Sequence, residues 1–300
     1  MTFINDTIKY LEAKNYKAFY LALMRVLFGV FLLKEIAFKL PYSALLYSDQ
    51  SVFKFNEHSS FVVLGIDVSF LKNNYQIILG VYILAILFFI FGIGKRFTAF
   101  VIFILILLLQ KLNNSTVNGG DKMARLMMFY FVFANSFEYL CVKKNREMLQ
   151  SSSFNNLVSN LAAYSMMIQL CLAYFVSFIN KINNPYWLNG TANCYVFQTE
   201  AFQGTRFNQA LSQSSFFVYI STYFTLLFEG GFAFLIWFKK LRKPLLIGGL
   251  ILHFGIYFFM MIYNLQTIFL LPYGLFFAND EVLFFVKKYF KLNFFQKANS

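Results

Sequence analysis

The sequence predicts an all-α fold: a polytopic transmembrane helical bundle of about eight spans, with N- and C-termini cytoplasmic. Three observations lead there. Hydrophobic residues make up 59% of the chain and charged residues 13%, against roughly 45–50% and 25% in soluble domains, so a water-facing surface cannot be assembled from it. Apolar runs of the roughly 20 residues needed to cross a bilayer recur along the chain. Basic residues gather in short clusters between those runs and alternate in density from loop to loop, as the enrichment of Lys and Arg in cytoplasmic loops requires.

Taken in order, residues 1–17 form an amphipathic cytoplasmic lead (Asn5, Asp6, Lys9, Glu12, Lys14, Lys17) with no small-residue cleavage site, so the next run is a retained span. That first span covers 18–40, and an outer loop, 41–74, leads to spans at 75–94 and 97–117 joined through Lys95 and Arg96. After an outer loop at 111–122, the fourth span, 123–142, ends at Lys143, Lys144 and Arg146. The fifth, 157–179, opens onto the long outer loop 180–214; the sixth, 215–238, and seventh, 244–263, flank Lys239, Lys240, Arg242 and Lys243. The eighth, 265–278, is short and closed by Asn279-Asp280-Glu281, and it is kept because losing it would export the basic tail Lys287, Lys288, Lys291 and Lys297. An amphipathic interfacial helix is expected to continue it. The outer loops carry only Lys54, Lys72, Lys111, Lys122, Lys181 and Arg206, while Trp187 and Trp237 fall at opposite membrane surfaces, as in an aromatic belt. With no internal repeat, one transmembrane domain over 18–286 and a basic cytoplasmic tail over 287–300 account for the chain.

Several function classes drop out. A formal charge of +13 arises from clusters between apolar runs, not from one basic face, so membrane orientation explains it and nucleic acid is not an expected partner. Cys141, Cys171 and Cys194 fall at different depths without C-x-x-C spacing, and His58 stands in a polar loop with Glu57 and no second ligand, so no metal site is expected. No inverted repeat with paired broken helices points to a transporter. Asn113-Asn114-Ser115, Asn114-Ser115-Thr116 and Asn189-Gly190-Thr191 match the glycosylation pattern, which matters only in a glycosylating host.

Ionisable residues inside spans cost about 2.5–3.5 kcal/mol each at a helix centre and therefore face partners or cavities. Glu229 and His253 lie ten residues from Lys240 and Lys243, hence each about 15 Å from the cytoplasmic surface at 1.5 Å per residue. Two readings stay open for this pair: an acid/base or proton-relay couple, and a hydrogen bond fastening two helices. Lys34, Glu35, Asp121, Arg125 and Lys181 gather toward the outer leaflet, where they can line a polar cavity. For Lys34, Lys39 and Lys181 the competing explanation is snorkelling of a long stem, whereas the deeper Arg25 calls for an acidic or carbonyl partner.

Tyr174-Phe175 followed by Lys181-Ile182-Asn183-Asn184-Pro185-Tyr186-Trp187-Leu188-Asn189-Gly190-Thr191-Ala192 resembles the K-x5-W-x2-G-[ST]-A signature of the HTTM (horizontally transferred transmembrane) domain family, to which vitamin K-dependent γ-glutamyl carboxylases belong. Ala22-Leu23-Met24-Arg25, Asn118-Gly119-Gly120-Asp121 with Arg125, Glu229 and Leu252-His253 follow in that family's order. The resemblance implies an outward-facing pocket in which the signature lysine, Lys181, is the base that deprotonates a reduced quinone, the one cofactor it suggests. A lysine does this only if desolvation or cationic neighbours make its amine form accessible. The chain departs from the carboxylases at Asn118-Gly119-Gly120-Asp121, where they carry Asn-Asn-His. It stops at Ser300, where they continue into a large soluble domain, so carboxylation of a propeptide-bearing protein is not expected.

The expected protein is thus a multi-pass HTTM member of the bacterial cytoplasmic (inner) membrane. It modifies or handles a hydrophobic partner, whether quinone, lipid or exported peptide, by carboxylase- or lyase-like chemistry, quinone-dependent chemistry or peptide maturation. Lys181, His253 and Glu229 are the expected catalytic residues, and Arg25, Asp121, Arg125 and Trp187 shape the cavity. The rival from another class is a non-enzymatic scaffold or accessory subunit of a membrane or secretion complex, with the buried charges as helix fasteners. The lipid bilayer is the partner common to both, with an exported peptide or another membrane protein beside it.

Overall fold

A computed structural model describes residues 2–51, 67–142 and 152–290; His58, Glu57, Lys54, Lys143, Lys144, Arg146, Lys291 and Lys297 lie outside the described residues. Every regular element among the described residues is helical. The longer helices are α1 (Thr2–Ala13), α2 (Ala18–Lys39), α3 (Tyr75–Phe91), α4 (Lys95–Leu112), α5 (Gly119–Phe133), α6 (Ser153–Ile182), α7 (Ser215–Leu235), α8 (Lys239–Met260), α9 (Tyr263–Leu270) and α10 (Asn279–Phe290). Helix therefore occupies part of all eight predicted spans. Three helices, α6, α7 and α8, are long and apolar enough to cross a membrane, and a fourth span results if Tyr263–Phe276 and Asn279–Tyr289 count as one broken crossing.

Three boundaries differ from expectation for local reasons. The fourth predicted span, 123–142, starts early at Gly119 and stops at Phe133, because Asn118 and Asp121 form a reciprocal capping box at its start. At its end the Asn135 amide turns to Ser159 Oγ (2.9 Å) and the Asn135 side chain to Glu138 (3.0 Å). Asn and Ser side chains of this kind offer the backbone an alternative to helix, which an apolar count over 134–142 does not register. The eighth span breaks at Leu271–Phe276, a 3-10 stretch containing Pro272, which cannot donate to the ladder. The predicted domain boundary at 286/287 falls inside α10.

By its internal contacts the chain falls into two compact units, Met1–Tyr164 with Phe277–Ser300, and Ser165–Phe276. The tail joins the first unit because it completes the start of α2: Asn279 Oδ1 accepts from the Phe19 amide (2.9 Å) and Phe277 O accepts from Lys17 Nζ (2.5 Å). Lys17 itself gives α2 no side-chain cap, and the Phe19 amide in the first turn of the helix finds an acceptor in Asn279. In this unit α2 packs on α3, α3 on α4 and α4 on α5, around the fully buried Phe28, Phe89 and Phe131, whose rings stack (5.7 Å) and meet edge to face (5.4 Å). The lead is tied in as well, Asn160 Nδ2 donating to Leu11 O and Lys14 O, each at 2.8 Å.

In the second unit α7 packs on α8 and α8 on α9. The inner surface is aromatic, with Tyr174, Phe228, Phe232 and Tyr273 in ring contact. The outer faces are apolar too: Phe216 is 77% exposed, Leu227 76%, Ile251 63% and Phe258 61%. Helices with both faces apolar suit a lipid surround, not water.

Candidate functional site

Lys181 stands in the last turn of α6, on the face that also carries Tyr174 and Ser177, at the i, i+3, i+7 spacing of one helix side. Its Nζ donates to Ser177 Oγ (2.7 Å) and to both carboxylate oxygens of Glu229 on α7 (2.7 and 2.6 Å), and lies 5.1 Å from the centre of the Trp187 ring. Both partners are largely enclosed, with side-chain exposures of 19% and 9%. A bidentate ion pair beside an indole face, with a hydroxyl on the third N–H, satisfies the ammonium completely.

The signature segment after Lys181 is held by its own chemistry. Asn184 caps the short helix Pro185–Leu188 by accepting from the Tyr186 amide, Pro185 occupies its first turn, and Leu188 O accepts from Tyr223 Oη on α7 (2.9 Å). Gly190 has φ +75° and is packed so closely on Tyr219 and Tyr223 that a Cβ would run into both rings. Only glycine meets both demands. This loop is what carries Trp187 to Lys181.

His253 on α8 sits in a separate chain of hydrogen bonds. Its Nδ1 contacts Gln266 Oε1 and its Nε2 the Tyr174 hydroxyl, which in turn meets the Tyr273 hydroxyl at 2.7 Å. His253 thus bridges Gln266 and Tyr174, and Tyr174 bridges His253 and Tyr273. Every member of the chain is used.

The expected Glu229–His253 pair is therefore corrected: Glu229 takes Lys181, and His253 takes Tyr174 and Gln266. Equal distance from the membrane surface sets depth but not the direction in which a side chain leaves its helix. The lysine expected toward the outer leaflet meets the buried carboxylate, since α6 continues to Ile182 and brings Lys181 onto Glu229.

Arg25, Asp121 and Arg125 belong to the other unit. Arg25 is fully buried and has the expected carbonyl partners: Nη1 donates to Phe89 O (2.9 Å) at the C-terminus of α3, and Nη2 to Leu140 O (2.5 Å) and Tyr139 O (3.3 Å). A cation at a helix C-terminus answers the partial negative charge there. Gly92, at φ +72°, makes room, because any Cβ would strike the guanidinium and Cys141. Asp121 lies 3.5 Å from Lys39 Nζ, and Arg125 donates to Gln110 Oε1 (3.2 Å), whose amide nitrogen returns to Asp121 O (2.9 Å). Of the expected outward cluster, Glu35 and Asp121 border a cavity of about 60 Å³ together with Lys39, Gln110 and Asn113.

Tyr174 was visible only as part of the signature, and Ser177, Gln266 and Tyr273 carried no signal as singletons in a chain this rich in aromatic and amide residues. The i, i+4 relation of Ser177 to Lys181 is the one local clue. Among the described residues no group of three or more His, Cys, Asp or Glu could hold a metal ion. Compared with family models, with curated proteins and with solved structures, the chain matches none.

Proposed function

We propose that the chain works as a multi-pass membrane protein of the HTTM kind, placed in a bacterial cytoplasmic membrane with about eight crossings and both termini in the cytoplasm. It holds a hydrophobic partner, a lipid or an exported peptide, against apolar helix faces. The observation that carries this reading is that three buried ionisable groups find their partners within the chain: Lys181 on Glu229 and Ser177, the two Nη groups of Arg25 on the carbonyls of Phe89, Tyr139 and Leu140, and His253 on Tyr174 and Gln266. Groups partnered in this way fasten helices in a low-dielectric surround, and what is left for a partner is the apolar exterior.

The reduced quinone implied by the resemblance does not fit the residues as they stand. All three donors of Lys181 are taken by the chain's own oxygens, the ammonium has no lone pair, and the carboxylases' histidine is replaced in the stretch ending at Asp121. An enzymatic reading keeps one support, the convergence of Lys181, Glu229 and Trp187 at one place.

One comparison separates the two. Wild type and Lys181→Met/Glu229→Leu are purified in mild detergent, and the lipids and peptides that travel with each are identified by mass spectrometry. The fastening reading expects the same partner, within about twofold, on both proteins. Loss of the partner or of the cellular phenotype from a monodisperse, helical double variant overturns it in favour of a reactive lysine.

A further inference from the structure

The helix α10 has two unlike faces. Asn279 and Val286 lie on one side of it, at i and i+7; Asn279 Oδ1 accepts from the Phe19 amide (2.9 Å), Val286 is buried, and the helix packs on α2. The rest of its surface exposes Phe284 (68%), Phe285 (55%) and Tyr289 (61%), with Lys287 and Lys288 exposed among them. Its depth is fixed by its start, where Asn279 meets the first turn of α2 and Phe277 O accepts from Lys17 Nζ. There α2 opens the first apolar run, so α10 begins where the chain enters the apolar layer, on the side that the basic clusters assign to the cytoplasm. Rings and lysines exposed at that level suit the headgroup layer, where apolar bodies and charged tips are both accommodated.

The charge of this surface specifies the headgroup. Residues 283–297 hold four lysines, six aromatic residues and no carboxylate. Asp280 and Glu281 stand in the first turn of α10, where Glu281 Oε2 accepts from the Ala278 amide (2.8 Å) and both answer the helix dipole. Among the described residues neither Lys287 nor Lys288 pairs with a carboxylate, and Lys288 lies near the Phe284 and Tyr289 rings (5.9 and 5.4 Å). The dipole accounts for lysines in the last turn but not for Lys291 and Lys297 beyond it, nor for the rings set among them. From Phe284 to Tyr289 no amide or carboxylate is present to fix the register of a protein partner, which suits a fluid anionic surface. Helix α1 exposes Phe3 (81%) and Ile4 (63%) but intersperses Asp6, Lys9 and Glu12, so the charge selection belongs to α10.

We propose that α10 lies along the cytoplasmic leaflet and gathers anionic phospholipid, its lysines on phosphodiester headgroups and its rings among the glycerol and upper acyl carbons, aided by the charge of Lys291 and Lys297. Each lysine near an anionic surface strengthens attachment about fivefold. The proposal rests on the membrane reading above and names the lipid class this face selects.

The test uses the full chain in nanodiscs of equal parts phosphatidylglycerol and phosphatidylcholine, with its three native cysteines replaced. A fluorophore is attached at Phe285→Cys or, as a reference, at Ile247→Cys on the exposed side of α8 (57%). One lipid or the other carries a spin label on the acyl carbons next to the glycerol. At Phe285→Cys labelled phosphatidylglycerol is expected to quench about threefold more efficiently than labelled phosphatidylcholine. That preference is expected to fall to near one when salt rises from about 0.1 to about 1 M, which shortens the Debye length from about 10 to about 3 Å, and also in Lys287→Gln/Lys288→Gln/Lys291→Gln/Lys297→Gln. Equal quenching by the two lipids, or a preference that survives salt and loss of the lysines, overturns the proposal. So does a label at Phe285→Cys that neither lipid quenches while Ile247→Cys is quenched, the result a second copy or a protein partner on α10 would give; the membrane reading then stands. Absence of quenching at Ile247→Cys overturns that reading and the proposal with it. Should the cysteine-free chain not fold, native mass spectrometry of wild type and the quadruple lysine variant decides. Preferential retention of phosphatidylglycerol by wild type, lost in the variant, supports the proposal, and equal retention of both lipids by wild type, or a preference undiminished in the variant, overturns it.

Discussion

Lys181 and Glu229 neutralise each other inside an apolar wall, and that makes them strongly interdependent. Removing one strands the other: Lys181→Met is expected to lower stability by about 3–5 kcal/mol, whereas adding Glu229→Leu restores most of the loss. Unfolding in mixed detergent micelles measures both, and a double variant no more stable than the single one counts against the pair. Glu229 and His253, having no common hydrogen-bond partner, should behave independently. Glu229→Gln and His253→Gln are expected to add within about 0.5 kcal/mol; a larger coupling would reinstate a link between them. At this scale the residue types were legible, since charges in apolar runs are rare enough to single out. Their partners were not, because Tyr174, Ser177 and Gln266 look ordinary until a neighbouring helix is placed.

At the scale of elements, the segment from Lys181 to Ala192 shows how a short loop is specified. Asn184 and Pro185 start a turn, Leu188 O receives Tyr223, and Gly190 takes the left-handed conformation that ends it. Gly190→Ala is expected to cost roughly 1–3 kcal/mol through backbone strain, with further loss from the ring clash, and to loosen Trp187. Thermal melting followed by tryptophan emission reads both effects; an unchanged melt and spectrum would show that the loop tolerates a Cβ. Arg25 acts at the same scale, tying the end of α3 to the Tyr139–Leu140 backbone. The helices themselves were predictable from apolar run length. Their ends at Phe133 and Leu270 were not, because Asn135 and Pro272 act through hydrogen bonds that hydropathy does not count.

For the whole molecule, the proposed topology makes a direct prediction. With Cys141, Cys171 and Cys194 replaced, single cysteines introduced at Lys9, Lys240 and Lys287 should be shielded in intact cells from a membrane-impermeant thiol reagent, and cysteines at Lys72, Lys122 and Arg206 should be labelled. Labelling of either terminus from outside refutes the eight-crossing arrangement. The charge pattern supports it through alternation between basic clusters and loops with scattered single lysines or arginines, and the three long apolar helices are compatible with it.

The all-helical architecture and the presence of helices long enough to cross a membrane follow from composition and run length alone, because without water the backbone has to satisfy itself within each segment. The places of Arg25, Asp121 and Lys181 as buried or half-buried charges follow the same way, from the cost of a charge among apolar residues. Which charge meets which partner was decided only in three dimensions. The direction in which Glu229 leaves α7 and the continuation of α6 to residue 182 both depend on helix packing. Hydrogen bonds and ion pairs act over a few ångströms between residues dozens of positions apart, a relation that no local pattern along the chain records.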